Sequence, residues 1–144
     1  MVKVSITTQN KEILLDRKFI ADLSKYVFKK INFLKRGKKV IIDIAFLPKD
    51  KMRRLNFKYR RIDRTTSSLA FSYGSPFNDE KIYIGEILLN EEILKDKFNK
   101  FLETLIHALL HIAGYNHSKP TERKEMFKIQ RKMLKELGKK KWVL

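Results

Sequence analysis

All three histidines of the 144-residue chain, His107, His111 and His117, fall inside one eleven-residue stretch, HALLHIAGYNH. This clustering constrains the fold more than any other feature of the chain. Phe98, Leu102, Leu105 and Leu109 recur at helical spacing ahead of it and through it, so the first two histidines are predicted on a long helix. Residues four apart share a helix face, and His107 and His111 can therefore present two imidazoles to one point in space. Gly114 can take positive φ and end the helix, letting the chain bend back until His117 reaches the same point.

Three neutral imidazoles around one point make a metal site. Such a set leaves a divalent ion its charge and an open coordination position, as in catalytic rather than structural zinc. One zinc ion per chain is the expected cofactor, although the same donors suit nickel, cobalt or copper. The HxxxHxxGxxH spacing matches the metzincin zinc signature, except that Ala108 stands where those proteases carry a glutamate general base. Standard peptidase chemistry is thereby disfavoured, while water activation and polarisation of an anionic phosphoryl oxygen suit the site. The plainer alternative makes His107 and His111 polar positions on an apolar helix and His117 a loop residue. Every histidine of the chain standing at ligand spacing around one glycine argues for the metal.

Charge points to the partner. With 33 Lys and Arg against 16 Asp and Glu the formal charge is +17, which favours polyanions, and for such a domain the usual polyanion is nucleic acid. Residues 1–144 are expected to form one domain, since 43% hydrophobic content is too rich for a disordered basic tail. The absence of cysteine excludes disulfides, thiolate zinc knuckles and iron–sulfur clusters. No signal-like start and no apolar run of membrane-spanning length is visible, so a cytoplasmic protein without membrane contact is expected.

The remaining pattern predicts a small α+β fold in the order βαβαββαα. Val2, Val4 and Ile6 alternate as in a half-buried strand, and Phe19, Leu23, Val27 and Ile31 mark a helix ending before Gly37. Val40 to Leu47 reads as a buried strand stopped by Pro48, after which Asp50 is predicted to cap a helix carrying Met52, Leu55 and Tyr59. Thr65 to Ser72 and Lys81 to Leu89 have strand composition, with a turn at Gly74 to Pro76 between them. Asn90 can cap the helical segment after the last strand, and a final helix opens near Ser118 and Pro120 and closes at Gly138.

HALLHIAGYNH also resembles the HGxLHLxGYDH signature of the YbeY endoribonucleases. LNFKYRRIDRTT, at Leu55 to Thr66, is similar to that family's LNxxYRxxDxPT, IGEI at Ile84 to Ile87 to its LGDI, and Glu125-Met126 to its EM pair. The resemblance implies a mixed-sheet, zincin-like metal-hydrolase fold. It also implies single-strand-specific, metal-dependent cleavage of RNA in ribosomal RNA maturation and ribosome quality control, with His107, His111 and His117 as ligands. The partners would be ribosomal RNA or ribosomal particles. The family's important arginine carries over to Arg60, whose guanidinium can hold a scissile phosphate through two parallel hydrogen bonds. Where the family reads PTDVLSFP this chain has TTSSLAFS, so Ser67 replaces Asp, Ala70 replaces Ser, and Thr65 and Ser72 replace two prolines; Asn116 replaces the Asp of GYDH.

Other residues have plainer readings beside a functional one. Glu103, four residues before His107, could fix a ligand tautomer but is more simply an exposed helix residue. Asp63 and Glu86 are read as structural acids. Tyr59 and Phe71 could stack on bases, yet at apolar spacing they are read as packing residues. Lys139 to Lys141 beside Trp142 form a basic tail. A general base is not assigned, and either water or a ribose 2′-hydroxyl can attack. Two competing functions fit the same residues: a metal-stabilised RNA- or ribosome-binding protein with weak or no nuclease activity, and a metal-dependent hydrolase of another substrate.

Overall fold

The structure, a computed structural model, describes residues 2–8, 17–33, 39–73, 81–95, 98–115 and 118–138. Strand β1 (Val2–Thr8) leads to helix α1 (Arg17–Lys30), then β2 (Lys39–Leu47), α2 (Lys49–Arg60), β3 (Ser68–Ser72) and β4 (Lys81–Asn90). A short 3-10 turn (Glu91–Lys95) precedes α3 (Phe98–Ile112) and α4 (Pro120–Gly138). The four strands form one mixed sheet in the order β1-β2-β4-β3, with β1, β2 and β4 parallel and β3 antiparallel to β4. The α+β expectation and its element order hold. Gly37 and the turn at Gly74 to Pro76 lie outside the described residues.

Burial along β2 alternates, and the two faces of the sheet are covered differently. Val40, Ile42, Ile44 and Phe46 enter the main core, where Leu23 and Val27 of α1 and Leu102, Leu105 and Leu109 of α3 meet them. A smaller cluster joins Met52 of α2 to Leu69 and Leu88, with Ala45, Leu47, Leu55 and Phe71 packed around it. Helix α3 is the most buried helix: from Phe101 to Ile112 only Glu103, His107 and His111 escape full burial. Its exceptions lie on one stripe.

Two local devices set α3 against the sheet. Between Ile41 and Ile42 the β2–β4 register shifts, so Tyr83 and Gly85 face consecutive β2 residues. Gly85 then lies where a Cβ would come within 2.4 Å of the Phe71 carbonyl oxygen and 2.6 Å of Ile112 Cδ1. Only glycine lets β3 and the end of α3 approach so closely. Ser72 Oγ strengthens that approach by donating to the Ile112 carbonyl at 3.2 Å.

Several predicted boundaries move for identifiable reasons. Pro48, not Asp50, is the N-cap of α2: Pro48 is extended, its carbonyl accepts from Met52 at 3.0 Å, and Asp50 sits inside the first turn. Thr65 to Ser67 leave the predicted strand because Asn90 holds them as a loop. The Asn90 side-chain amide donates to Thr65 Oγ1 (3.2 Å) and to the Thr66 carbonyl (3.3 Å), while its backbone N–H donates to the Ser67 carbonyl (2.9 Å). Asn90 Oδ1 also accepts from the Glu92 N–H, which is the capping role expected of it.

Candidate metal centre

The helix-ending role of Gly114 is realised in full. With φ at 102°, it donates its N–H to the His111 carbonyl (3.0 Å) while Tyr115 N–H reaches the Leu110 carbonyl (3.0 Å), the paired bonds of a Schellman motif. The chain thus turns immediately after the two helical histidines. His117 and Asn116 lie outside the described residues.

His107 and His111 lie one turn apart on α3, their rings edge to face with centroids 4.7 Å apart. Their Nε2 atoms approach to 3.2 Å. Two nitrogens bound to one tetrahedral zinc at about 2.0–2.1 Å would stand roughly 3.3 Å apart, so the observed separation accommodates a shared ion as well as a hydrogen bond between the two rings. A neighbouring amide sets the tautomer. His107 Nδ1 lies 3.1 Å from Oε1 of Gln130 on α4, and since an amide oxygen only accepts, the proton sits on Nδ1 and the Nε2 lone pair faces the convergence point. The donor set therefore fits zinc. Among the described residues no third His, Cys, Asp or Glu completes a three-donor cluster.

Both histidines line a cavity of about 300 Å³. Lys100, Glu103 and Thr104 continue the polar stripe of α3 along the cavity, Phe127 and Gln130 of α4 line it too, and Arg60, Thr66 and Ser67 with Ser68 and Ala70 of β3 complete it. Arg60 is the last residue of α2, and Arg61, in the left-handed region at φ 61°, ends the helix by donating to the Phe57 carbonyl at 2.9 Å. Asn56 ties the following loop to α2 by donating to the Arg64 carbonyl at 2.8 Å. Arg60 and the two helical histidines, more than forty residues apart in sequence, are thus brought to one cavity. Ser67, the position where the family pattern carries Asp, lines it as well.

The other candidate residues have definite places. The contact open to Glu103 at His107 Nδ1 belongs to Gln130, buried on α4, which sequence spacing could not reveal. Asp63 pairs with Arg53 at 2.9 Å, and Glu86 accepts from the Tyr73 hydroxyl at 3.0 Å, so both acids are structural. Phe71 packs beside the smaller core cluster as expected, but Tyr59 is 55% exposed and meets Phe71 edge-on at 5.0 Å. Ala108 is fully buried in the main core and does not line the cavity, so the position of the protease glutamate is occupied by packing here. Lys139 to Lys141 lie outside the described residues.

A polar stripe on a buried helix, two converging imidazoles and a guanidinium thus share one cavity on an α+β scaffold. The sequence model of the family Endoribonuclease YbeY matches residues 5–138, and the chain belongs to that family. Among curated relatives, the Endoribonuclease YbeY of Thermosipho melanesiensis is 35% identical over 113 residues, 72% of this chain and 78% of that protein. The one from Mycoplasmopsis synoviae is 30% identical over 138 residues, 85% of this chain and 84% of that protein. The fold is similar to the solution structure of a Thermotoga maritima protein, with a TM-score of 0.50 at 24% identity, covering 93% of this chain and 88% of the other.

Proposed function

We propose that this chain is a metal-dependent endoribonuclease that hydrolyses single-stranded RNA, acting in the cytoplasm on ribosomal RNA and ribosomal particles during maturation and quality control. The observation that carries the reading is the convergence of His107, His111 and Arg60 on one cavity in a chain of formal charge +17. The names of the curated relatives support it. Among the described residues no helix is long and apolar enough to cross a membrane.

His107, His111 and His117 would hold a zinc ion, which when bound supplies Lewis acidity and a water of lowered pKa. Gln130 keeps His107 in the tautomer that offers Nε2. Arg60 grips the scissile phosphate with paired N–H donors and steadies the added charge of the transition state. Thr66, Ser67 and Ser68 give the wall beside Arg60 hydroxyls and no negative charge, which suits a phosphate backbone. The surrounding lysines and arginines draw in the strand by counterion release.

Incubation of the zinc-loaded protein with single-stranded and duplex RNA of one sequence, before and after chelation, tests this reading. Cleavage of the single strand that stops on chelation and returns with zinc is the expected result. A folded, zinc-loaded protein that binds RNA without cutting it would leave the metal-stabilised binding protein in its place.

A further inference from the structure

Phe127 leaves 43% of its surface in water although it stands beside Met126, which is buried in the main core. Its ring lines the histidine cavity and also a second cavity of about 360 Å³. Glu103, Gln130, Arg131 and Leu134 complete that second cavity. Phe127, Arg131 and Leu134 stand at i, i+4 and i+7 on α4 and so share one helix face. Glu103 and Gln130 line both cavities, which are therefore neighbours with a common wall. Arg60 belongs to the first cavity and not to the second.

A flat apolar ring, an aliphatic side chain, a guanidinium and a carboxylate are the parts of a nucleotide-sized subsite. The ring offers a stacking face to a base, with Leu134 extending the apolar floor. Arg131 offers paired donors to a phosphate. Glu103 repels phosphate and accepts hydrogen bonds from exocyclic base amines, so the base lies toward Glu103 and the phosphate toward Arg131. Lys124, Lys128 and Lys132, all exposed on the same helix, add the positive field that brings a polyanion along α4.

We propose that this second cavity holds a nucleotide flanking the phosphate gripped by Arg60, with Phe127 stacking on its base and Arg131 contacting its phosphate. The proposal rests on the RNA-cleaving reading and adds a position to it. The strand runs from Arg60 past His107 and His111 to Phe127. Such a subsite selects single strands, because a paired base cannot leave its own stack to lie on the phenyl ring.

The test uses zinc-loaded protein and fluorescence anisotropy with two cleavage-resistant 2′-O-methyl probes of equal length, an oligoadenylate and an abasic oligomer. Phe127→Ala, at an exposed position, should keep the wild-type melting temperature and weaken oligoadenylate binding about tenfold. It should leave abasic binding unchanged, and Phe127→Trp should restore the loss. Arg131→Ala should weaken both probes and reduce the salt slope by about 0.7. Oligoadenylate binding unchanged in Phe127→Ala, or lost equally for both probes, overturns the subsite while leaving the nuclease reading intact. A wild-type protein that binds neither probe and cuts no RNA overturns that reading and the subsite with it.

Discussion

Gln130 on α4 accepts a hydrogen bond from Nδ1 of His107 on α3 across 3.1 Å, and this contact joins the last helix to the candidate metal centre. Gln130 is 4% exposed, so its amide is not free to exchange His107 for water. Replacing it by Leu removes the acceptor that fixes the tautomer. Zinc affinity should fall by about 10–100-fold, as for other outer partners of metal-bound histidine. Competition with a chromophoric chelator reads the change, and Gln130→Glu, which keeps an acceptor, should bind zinc better than Gln130→Leu. Equal affinities in all three proteins would remove Gln130 from the site.

The two glycines near α3 act for different reasons and should respond differently to alanine. At Gly85 a Cβ would meet a β3 carbonyl and the Ile112 side chain, so β3 and α3 must separate. At Gly114 nothing lies within 4 Å of an added Cβ, and only the positive φ is strained. Gly114→Ala should cost about 1 kcal/mol, and Gly85→Ala more, about 1–3 kcal/mol from overpacking. Urea unfolding of both variants gives the order; a larger loss at Gly114 would contradict this picture of the sheet–helix contact.

In the proposed mechanism Arg60 acts on phosphate and not on the metal. Arg60→Ala should therefore keep its zinc content while kcat for RNA cleavage falls by about 10²–10³-fold. Arg60→Lys should recover little, because an ammonium cannot make the paired, planar contact. Loss of zinc in Arg60→Ala would place the side chain in the metal site instead.

Tyr26 on α1 donates to Glu136 on α4, and Lys30 approaches the same carboxylate at 3.4 Å. The Tyr26 hydrogen bond is the main cause holding the Glu136 carboxyl below its ordinary value of 4.5. Burial, aided by Glu136, pushes the Tyr26 phenol above its ordinary 10.0. A depressed acid stabilises the fold above its ordinary pKa and loses that contribution as pH falls through the folded value. A raised phenol contributes fully below 10.0 and loses its contribution as pH rises through the folded value. The stability difference between wild type and Tyr26→Phe should thus be flat between these limits and shrink on both sides, as thermal melts across pH would show. A gap that widens in acid would contradict it.

The readable parts of this molecule are those decided by neighbours in sequence. The apolar spacing of α3, the helix end at Gly114 and the alternation of β1 are local, and they appear where the pattern puts them. Pro48 takes the cap position from Asp50 because its fixed φ already suits a helix entrance. The strand order, with β4 between β2 and β3, depends on long-range pairing that periodicity does not encode. Gln130 is hidden for the same reason: it lies 23 residues from His107, on another helix, and no spacing rule links them. Arg61 in the left-handed region gives no signal in composition at all, since arginine has no preference for it.

Metal-dependent RNA cleavage at His107 and His111 is tested most sharply by His111→Ala, compared with wild type for zinc content, folding, single-stranded RNA affinity and single-stranded RNA cleavage. The variant should fold and still bind RNA, but lose zinc affinity and no longer cut. A folded His111→Ala that cleaves RNA at the wild-type rate would place the chemistry elsewhere.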